Sequence, residues 1–325
     1  MRILSGMRPT GKLHLGHWVG ALSNWVKLQS EYECFFMVAD WHALMSEYKK
    51  SQTLKEIILD NVSDWLAWGI DPAKSVIFVQ SQIEEHLELF MILSFLVPLG
   101  WVFRCPTFKE QMKELKEKEI NTYAFLGYPV LQAADILLYK AEYVPVGEDQ
   151  LPHLELAREI VRRFHFLYGK KVFVEPQALL TKTSRLLGLD GRKMSKSYNN
   201  FIALDEEDSS IERKVLSMFT DPKRIYRHDK GHPHNCNVFS YYSTFFPQKR
   251  EELLSACKEA KIGCQECKKN LAKLLIDFIS PYREKKKNIL KDKKNIYNIL
   301  EEGKKKAKKI SEEMIEEVKK VMKIK

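Results

Sequence analysis

At 325 residues the chain can bury a substantial core, and one large plus one smaller domain is the natural expectation. A formal net charge of +10 points to a polyanionic partner, nucleic acid first. No apolar run reaches the ~20 residues of a membrane span, MRILSGMRPT lacks a signal-peptide apolar region, and six cysteines in a chain this long make no disulfide scaffold, so we expect a soluble cytoplasmic protein with reduced thiols and no membrane partner.

The short apolar run Ile3-Leu4 stops at Gly6, and the stretch that follows, Ser5 to Gly20, carries Pro9, Gly11 and Gly16 for tight turns. His14-Leu15-Gly16-His17 then leads into a helical pattern through Leu22, Val26 and Leu28. A strand, a glycine-bearing turn and a helix start are the parts of a phosphate site, because the first N–H groups of a helix point outward unpaired. Neutral His14 and His17 could donate to phosphate oxygens. The bland reading, capping or surface histidines, stands beside it, since this is neither the Rossmann glycine fingerprint nor a P-loop.

Cys34 to Ala39 is a continuous apolar run suited to a strand buried on both faces. A helix through Leu54, Val62 and Leu66 ends at Gly69, and Val76–Val79 is the next strand. A helix over Glu84–Phe95 follows. Phe108–Glu119 reads as a connection or a mobile helix with Lys109 available to a phosphate. Tyr128–Asp135 runs into Ile136–Tyr139, and Gln132 and Asp135 share a helix face, with Tyr128 one turn before. A carboxylate in so apolar a stretch needs a partner or a purpose. Val144–Gln150 repeats the strand, glycine, helix-start logic, with Glu148 and Asp149 in the first turn. Strand and helix alternate to about Val174, which argues for a parallel sheet with helices on both faces.

Gly188–Asn200 reads as a polar loop between domains; taken alone its lysines and serines suit a solvated surface, and they could also clamp phosphate. Beyond Asp205 only helices are expected: Ile211–Phe219, Glu251–Lys258, Leu271–Ile279 and a last one with the stripe Ile310, Met314, Val318 and Val321. Cys236, Cys257, Cys264 and Cys267 are spaced C-x20-C-x6-C-x2-C, and the close last pair points to a metal. Four thiolates suit tetrahedral zinc or an iron–sulfur cluster alike, and His228, His232 and His234 stand near enough to complete a zinc site.

His14-Leu15-Gly16-His17 and Lys193-Met194-Ser195-Lys196-Ser197, in this order on an alternating chain, closely resemble the paired signatures of class I aminoacyl-tRNA synthetases. Ser5–Gly11, Tyr128–Tyr139 and Val144–Gln150 resemble the tryptophanyl-tRNA synthetases, and the likeness spans essentially the whole chain. It implies a Rossmann-like, doubly wound parallel sheet over residues 1–192, a loop and linker over 193–200, and a C-terminal all-helical anticodon-binding domain over 201–325, its last helix packing back on the catalytic domain. It also implies a homodimer that joins L-tryptophan to tRNA(Trp) through tryptophanyl-adenylate, using ATP and Mg2+. The ATP positions would be Arg8, Pro9, Thr10, Gly16, His17, Gly147, Glu148, Asp149, Lys193, Met194, Ser195, Lys196 and Ser197. The tryptophan positions would be Gly6, His42, Tyr128, Gln132, Asp135, Val144, Val146 and Gln150. Gln132 departs from a methionine common in bacterial members. A subgroup with a similar cysteine set holds a [4Fe–4S] cluster there, which favours the cluster over zinc, bracing a domain expected to have few apolar clusters.

The substrate carboxylate is already ionised and attacks the α-phosphate directly, so the protein must supply positioning and charge stabilisation. His14, His17, Lys193 and Lys196 would carry that role, with Lys109 a possible helper. Asp135 would meet the indole N–H or the ammonium, and the sequence does not choose. A tyrosine-specific synthetase and a non-catalytic nucleic-acid-binding protein are the alternatives.

Overall fold

The computed structural model describes residues 1–106, 122–180 and 186–324, apart from the side chains of Lys50 and Ser197. Five parallel strands lie in the order β3-β2-β1-β4-β5: β1 Arg2–Met7, β2 Glu33–Val38, β3 Ser75–Val79, β4 Tyr143–Val146 and β5 Gln177–Leu180. This is the Rossmann-like, doubly wound arrangement, followed by a helical C-terminal region. β1 pairs with β2 from Arg2–Glu33 to Met7–Val38 but pairs with β4 only at Ile3–Tyr143. Past that point the two central strands part, and a crevice opens at their carboxyl ends, where the strand order reverses.

The helices are α1 Ser23–Leu28, α2 Asp40–Glu47, α3 Leu54–Ala67, α4 Glu85–Ser94, α5 Leu99–Arg104, α6 Tyr123–Leu138 and α7 Leu151–Tyr168. After the sheet come α8 Asp208–Leu216, α9 Asn237–Phe245, α10 Arg250–Lys258, α11 Cys264–Lys291 and α12 Lys293–Met322. Side chains alternate across each strand, so one face takes Ile3, Phe36, Val38, Ile77 and Val79 and the other takes Leu4, Phe35, Met37 and Phe78. The first face packs against α1 and α3, with Trp25 stacked on Phe36 at 4.5 Å between ring centroids. The second packs against α4, α6 and α7.

Three features differ from the sequence reading. The alternation runs on to β5, whose residues are half-buried or exposed at the sheet edge, so no apolar run marks it. α9 was not anticipated, and α11 extends the expected Leu271–Ile279 in both directions through a lysine-rich tail and Pro281. Nor do the C-terminal helices lack apolar support. Leu271, Leu275 and Ile279 belong to the same buried cluster as Ile3 and Trp65, and Tyr282 stacks on Trp68 at 4.2 Å.

α12 returns to lie along β3, the edge strand. A Cβ on Gly303 would overlap the Ile77 carbonyl oxygen, so only glycine allows this approach. Lys308 pairs with Glu84 and Lys319 with Glu88, which fixes the helix over α4. Among the described residues no helix is long and apolar enough to cross a membrane.

Candidate active site

The turn after β1 is set by Thr10 N donating to the Arg8 carbonyl at 2.9 Å and by Gly11 in a positive-φ conformation. His14 caps the helical turn Leu15–His17, and its N–H donates to His17 Nδ1 at 3.1 Å. The two rings lie 3.8 Å apart between centroids. Burial, then the positive charge of Lys196, depresses His14 to about 3; burial and both of these neighbours depress His17 as well. Neutral imidazoles result, each able to donate one N–H.

The distant lysine loop is brought directly onto this turn. Leu15 N donates to the Ile202 carbonyl and Leu204 N to the Leu13 carbonyl, both at 3.0 Å, which stitches the segment after the loop to the histidine motif. Gly16 N lies 3.3 Å from Met194 Sδ. A Cβ on Gly16 would come within 3.0 Å of the His14 ring and 3.3 Å of that sulfur. Lys196 Nζ donates to the Gly11 carbonyl at 3.0 Å and lies 3.4 Å from Thr10 Oγ1. Asn200 holds the loop's shape: its Oδ1 accepts from Ser195 N at 2.8 Å, and its Nδ2 donates to the Lys193 carbonyl and to Asp190. Lys193 itself is exposed, with its backbone bridged to Leu187. Lys109 and the Ser197 side chain lie outside the described residues.

A cavity of about 370 Å³ opens at the carboxyl ends of β1 and β4. Gly6, His42, Tyr128, Gln132, Asp135, Val144, Val146 and Gln150 all line it, together with Arg8, Met37, Ile136 and Gly147. Gly147 turns the chain from β4 into the Glu148–Gln150 turn, where Glu148 and Asp149 are exposed. Asp135 sits at the cavity wall and is buried. Its Oδ1 accepts from His86 Nδ1 at 2.7 Å and Gln80 Nε2 at 2.8 Å, and its Oδ2 accepts from His42 Nε2 at 2.8 Å. Burial alone would raise this carboxyl, but the hydrogen bonds and charges of the two histidines outweigh it and hold it below its usual range. Tyr139 Oη lies 2.8 Å from His86 Nε2 and closes the network.

Gln80 and His86 were missed from sequence. Their signal was a polar residue just past the carboxyl end of an apolar strand, followed by a histidine in the first turn of α4. A second buried chain, Cys105, His153 and Tyr128, was missed for want of any spacing between its members.

The four cysteines Cys236, Cys257, Cys264 and Cys267 line one small apolar pocket with Phe239, Leu253 and Ile262. Arg224 reaches it, with Nη1 3.9 Å from Cys257 Sγ and a buried Nε that has no partner. Among the described residues no three His, Cys, Asp or Glu side chains converge closely enough to hold a metal ion. His232 binds Asp221 at 2.9 Å, His228 stacks on Tyr226, and His234 packs edge-on against Phe239 of the pocket lining.

Residues 1–280 match the family model of tRNA synthetases class I (W and Y). The chain is 51% identical to a tryptophan–tRNA ligase of Thermotoga maritima and 43% identical to one of Aquifex aeolicus, with 99% of each chain covered. Its fold is similar to the crystal structure of tryptophanyl-tRNA synthetase from Campylobacter jejuni complexed with ADP and tryptophan, at a TM-score of 0.89, 33% identity and 99% coverage of both. These likenesses set aside the tyrosine-specific and non-catalytic alternatives. With its two paired motifs joined at one crevice, the chain belongs to the tryptophanyl-tRNA synthetases of class I.

Proposed function

We propose that this tryptophan–tRNA ligase activates L-tryptophan with ATP in the crevice between β1 and β4 and then transfers it to tRNA(Trp). The indole would lie among Met37, Ile136, Val144 and Val146, and its one polar atom, the ring N–H, would meet Asp135 in place of His42. ATP enters as its magnesium complex, over Arg8, Pro9, Thr10, Gly16, Gly147, Glu148 and Asp149 and the loop from Lys193 to Ser197. The tryptophan carboxylate attacks the α-phosphorus and pyrophosphate leaves; His14, His17, Lys193 and Lys196 stabilise the charge that develops. A terminal ribose hydroxyl of the tRNA then takes the aminoacyl group and AMP is released. The observation that carries this reading is Lys196 held on the Gly11 carbonyl, which puts the loop's ammonium on the turn that leads into the histidine motif. Pyrophosphate exchange into ATP tests it: tryptophan should drive exchange, and neither tyrosine nor buffer should.

We further propose that residues 1–192, 193–200 and 201–325 act as catalytic domain, mobile loop and tRNA-binding domain. The tRNA surface would include the basic stretch from Lys223 to Lys230, where Tyr226 and His228 present stacked, exposed rings. tRNA affinity should fall steeply with salt as lysine and arginine contacts release counterions. A homodimer, formed in the cytoplasm, would cover the exposed apolar residues Leu87, Met91 and Phe95 of α4 and Leu99 and Phe103 of α5.

The four cysteines would hold a [4Fe–4S] cluster, with zinc the alternative. What supports this is the donor set itself, four thiols on one pocket with the unpartnered Arg224 Nε beside them. When bound, the cluster supplies a structural crosslink between α9, α10 and α11. Anaerobically purified protein should be brown, absorb near ~400 nm and contain about four irons per chain. One zinc per colourless chain would decide for the alternative.

A further inference from the structure

The carbonyl of Gly11 takes two donors from opposite halves of the molecule. Lys196 Nζ lies 3.0 Å from it, and Asn61 Nδ2 lies 3.1 Å from it. Asn61 sits in the middle of α3 and is buried, and its Oδ1 has no hydrogen-bond partner. An unmatched buried oxygen is a cost that leucine, of nearly the same size, would avoid. What the amide supplies against that cost is its N–H on Gly11. The donor is also held still. Asp60 and Asp64, on the same helix, both pair with Lys286 of α11, and Val62 and Trp65 lie in the buried core.

A carbonyl oxygen has two lone pairs, so both donors are accommodated at once. They differ in what they can do next. The amide is neutral and fixed in a packed helix. The ammonium is a point charge on a flexible four-carbon stem. When Lys196 turns to the leaving pyrophosphate, it gives up Gly11. Were it the sole donor there, its departure would strip a half-buried carbonyl of its partner, and the price of that would be added to the barrier. With Asn61 in place the oxygen keeps one hydrogen bond before, during and after the swing.

We infer that Asn61 is a positioning residue for adenylate formation: it holds the Gly11 carbonyl so that Lys196 can leave it for the pyrophosphate at little cost. This rests on the role proposed above for Lys196. Asn61 touches neither substrate nor reacting atoms in this scheme; it acts through Gly11 on the lysine. Because the contact is made in the resting state and kept in the transition state, its loss should appear in the rate of the chemical step and not in ground-state binding.

Rapid-quench measurement of the first turnover in the full-length protein tests this. Asn61→Leu keeps the volume and removes the donor. It should slow adenylate formation about tenfold, the loss of one net hydrogen bond, with equilibrium binding of L-tryptophan and of ATP held within about twofold. Asn61→Ala, which leaves room for a water to take the carbonyl, should slow it less. The discriminating measurement adds Asn61→Leu to Lys196→Ala, where no ammonium has to be released; there it should change the rate by less than about twofold. Equal slowing in both backgrounds would mean that Asn61 merely braces the turn. An unchanged rate in Asn61→Leu alone, with Lys196→Ala slow, would mean that the lysine leaves without help. Either result overturns this inference and spares the role of Lys196. If Lys196→Ala is itself silent, that role falls and the inference falls with it.

Discussion

The ammonium of Lys286, on α11, is buried 2.9 Å from Asp64 Oδ1 on α3, 2.7 Å from Asp60 and 3.1 Å from Asp205. Burial alone would lower this lysine, but the three carboxylates raise it above its ordinary range; burial pushes Asp64 up to about 7 against the pull of the lysine. One cation therefore ties the C-terminal helices to the catalytic half and to the segment that follows the lysine loop. Lys286→Met would leave three carboxylates crowded around an uncharged side chain. We expect it to destabilise the fold by about 3–5 kcal/mol in urea denaturation. A loss below about 1 kcal/mol would mean that water reaches the cluster and screens it.

Stability should depend on pH through the buried histidines. His14 is depressed to about 3 and His153 to about 4, whereas an unfolded histidine titrates near ~6.5. Below that value the unfolded chain binds protons that the folded one refuses. This contribution is complete above ~6.5 and is lost progressively as pH falls toward 4. Carboxylates titrate in part of the same interval, so the informative quantity is the difference from a variant. The fall in Tm between pH 7 and pH 5 should be shallower in His14→Gln than in the parent, and parallel curves would show that His14 is not held neutral.

Gln80 should matter to tryptophan although it was absent from the sequence reading. Its Nε2 lies 2.8 Å and 3.0 Å from the two oxygens of Asp135 and so fixes the carboxylate plane. Gln80→Leu keeps the volume and removes the donor. The KM for tryptophan in pyrophosphate exchange should rise about tenfold, with the KM for ATP unchanged. A rise in the ATP value alone would place Gln80 outside the amino-acid site.

Lys196→Ala should slow adenylate formation by on the order of 10²–10³ while leaving tryptophan binding intact, because in the proposed mechanism the lysine would meet charge that appears only as pyrophosphate departs. Rapid-quench measurement of the first turnover isolates that step. An unchanged rate with weakened ATP binding would give the lysine a ground-state role instead.

What could be read from the sequence was what lies within one element or repeats at a fixed period. The strands at Cys34–Ala39 and Val76–Val79 announced themselves by unbroken apolar runs, and the eight residues expected around tryptophan line one cavity. Asp135 could be singled out because a carboxylate in an apolar helix is costly wherever the chain folds. Gln80 and His86 could not, since they reach it from other elements and, with His42, come within 3 Å of it only in the closed sheet. β5 was missed for a related reason: an edge strand buries too little to need an apolar sequence.

The seam between Ile77 and Gly303 also fixes an order of events on the ribosome. β3 is made early, but α12, the helix that covers it, emerges only after α4 to α11 and two further strands. At about 5–20 residues per second that interval is on the order of 10 s or more. Throughout it the unpaired backbone of β3 faces outward on a nascent chain crowded among its own copies, an open template for strand addition. Chains that stop near Asp292 would stay in that state for good. Faithful synthesis of α12 is therefore a guard against co-translational aggregation as much as a feature of the finished enzyme.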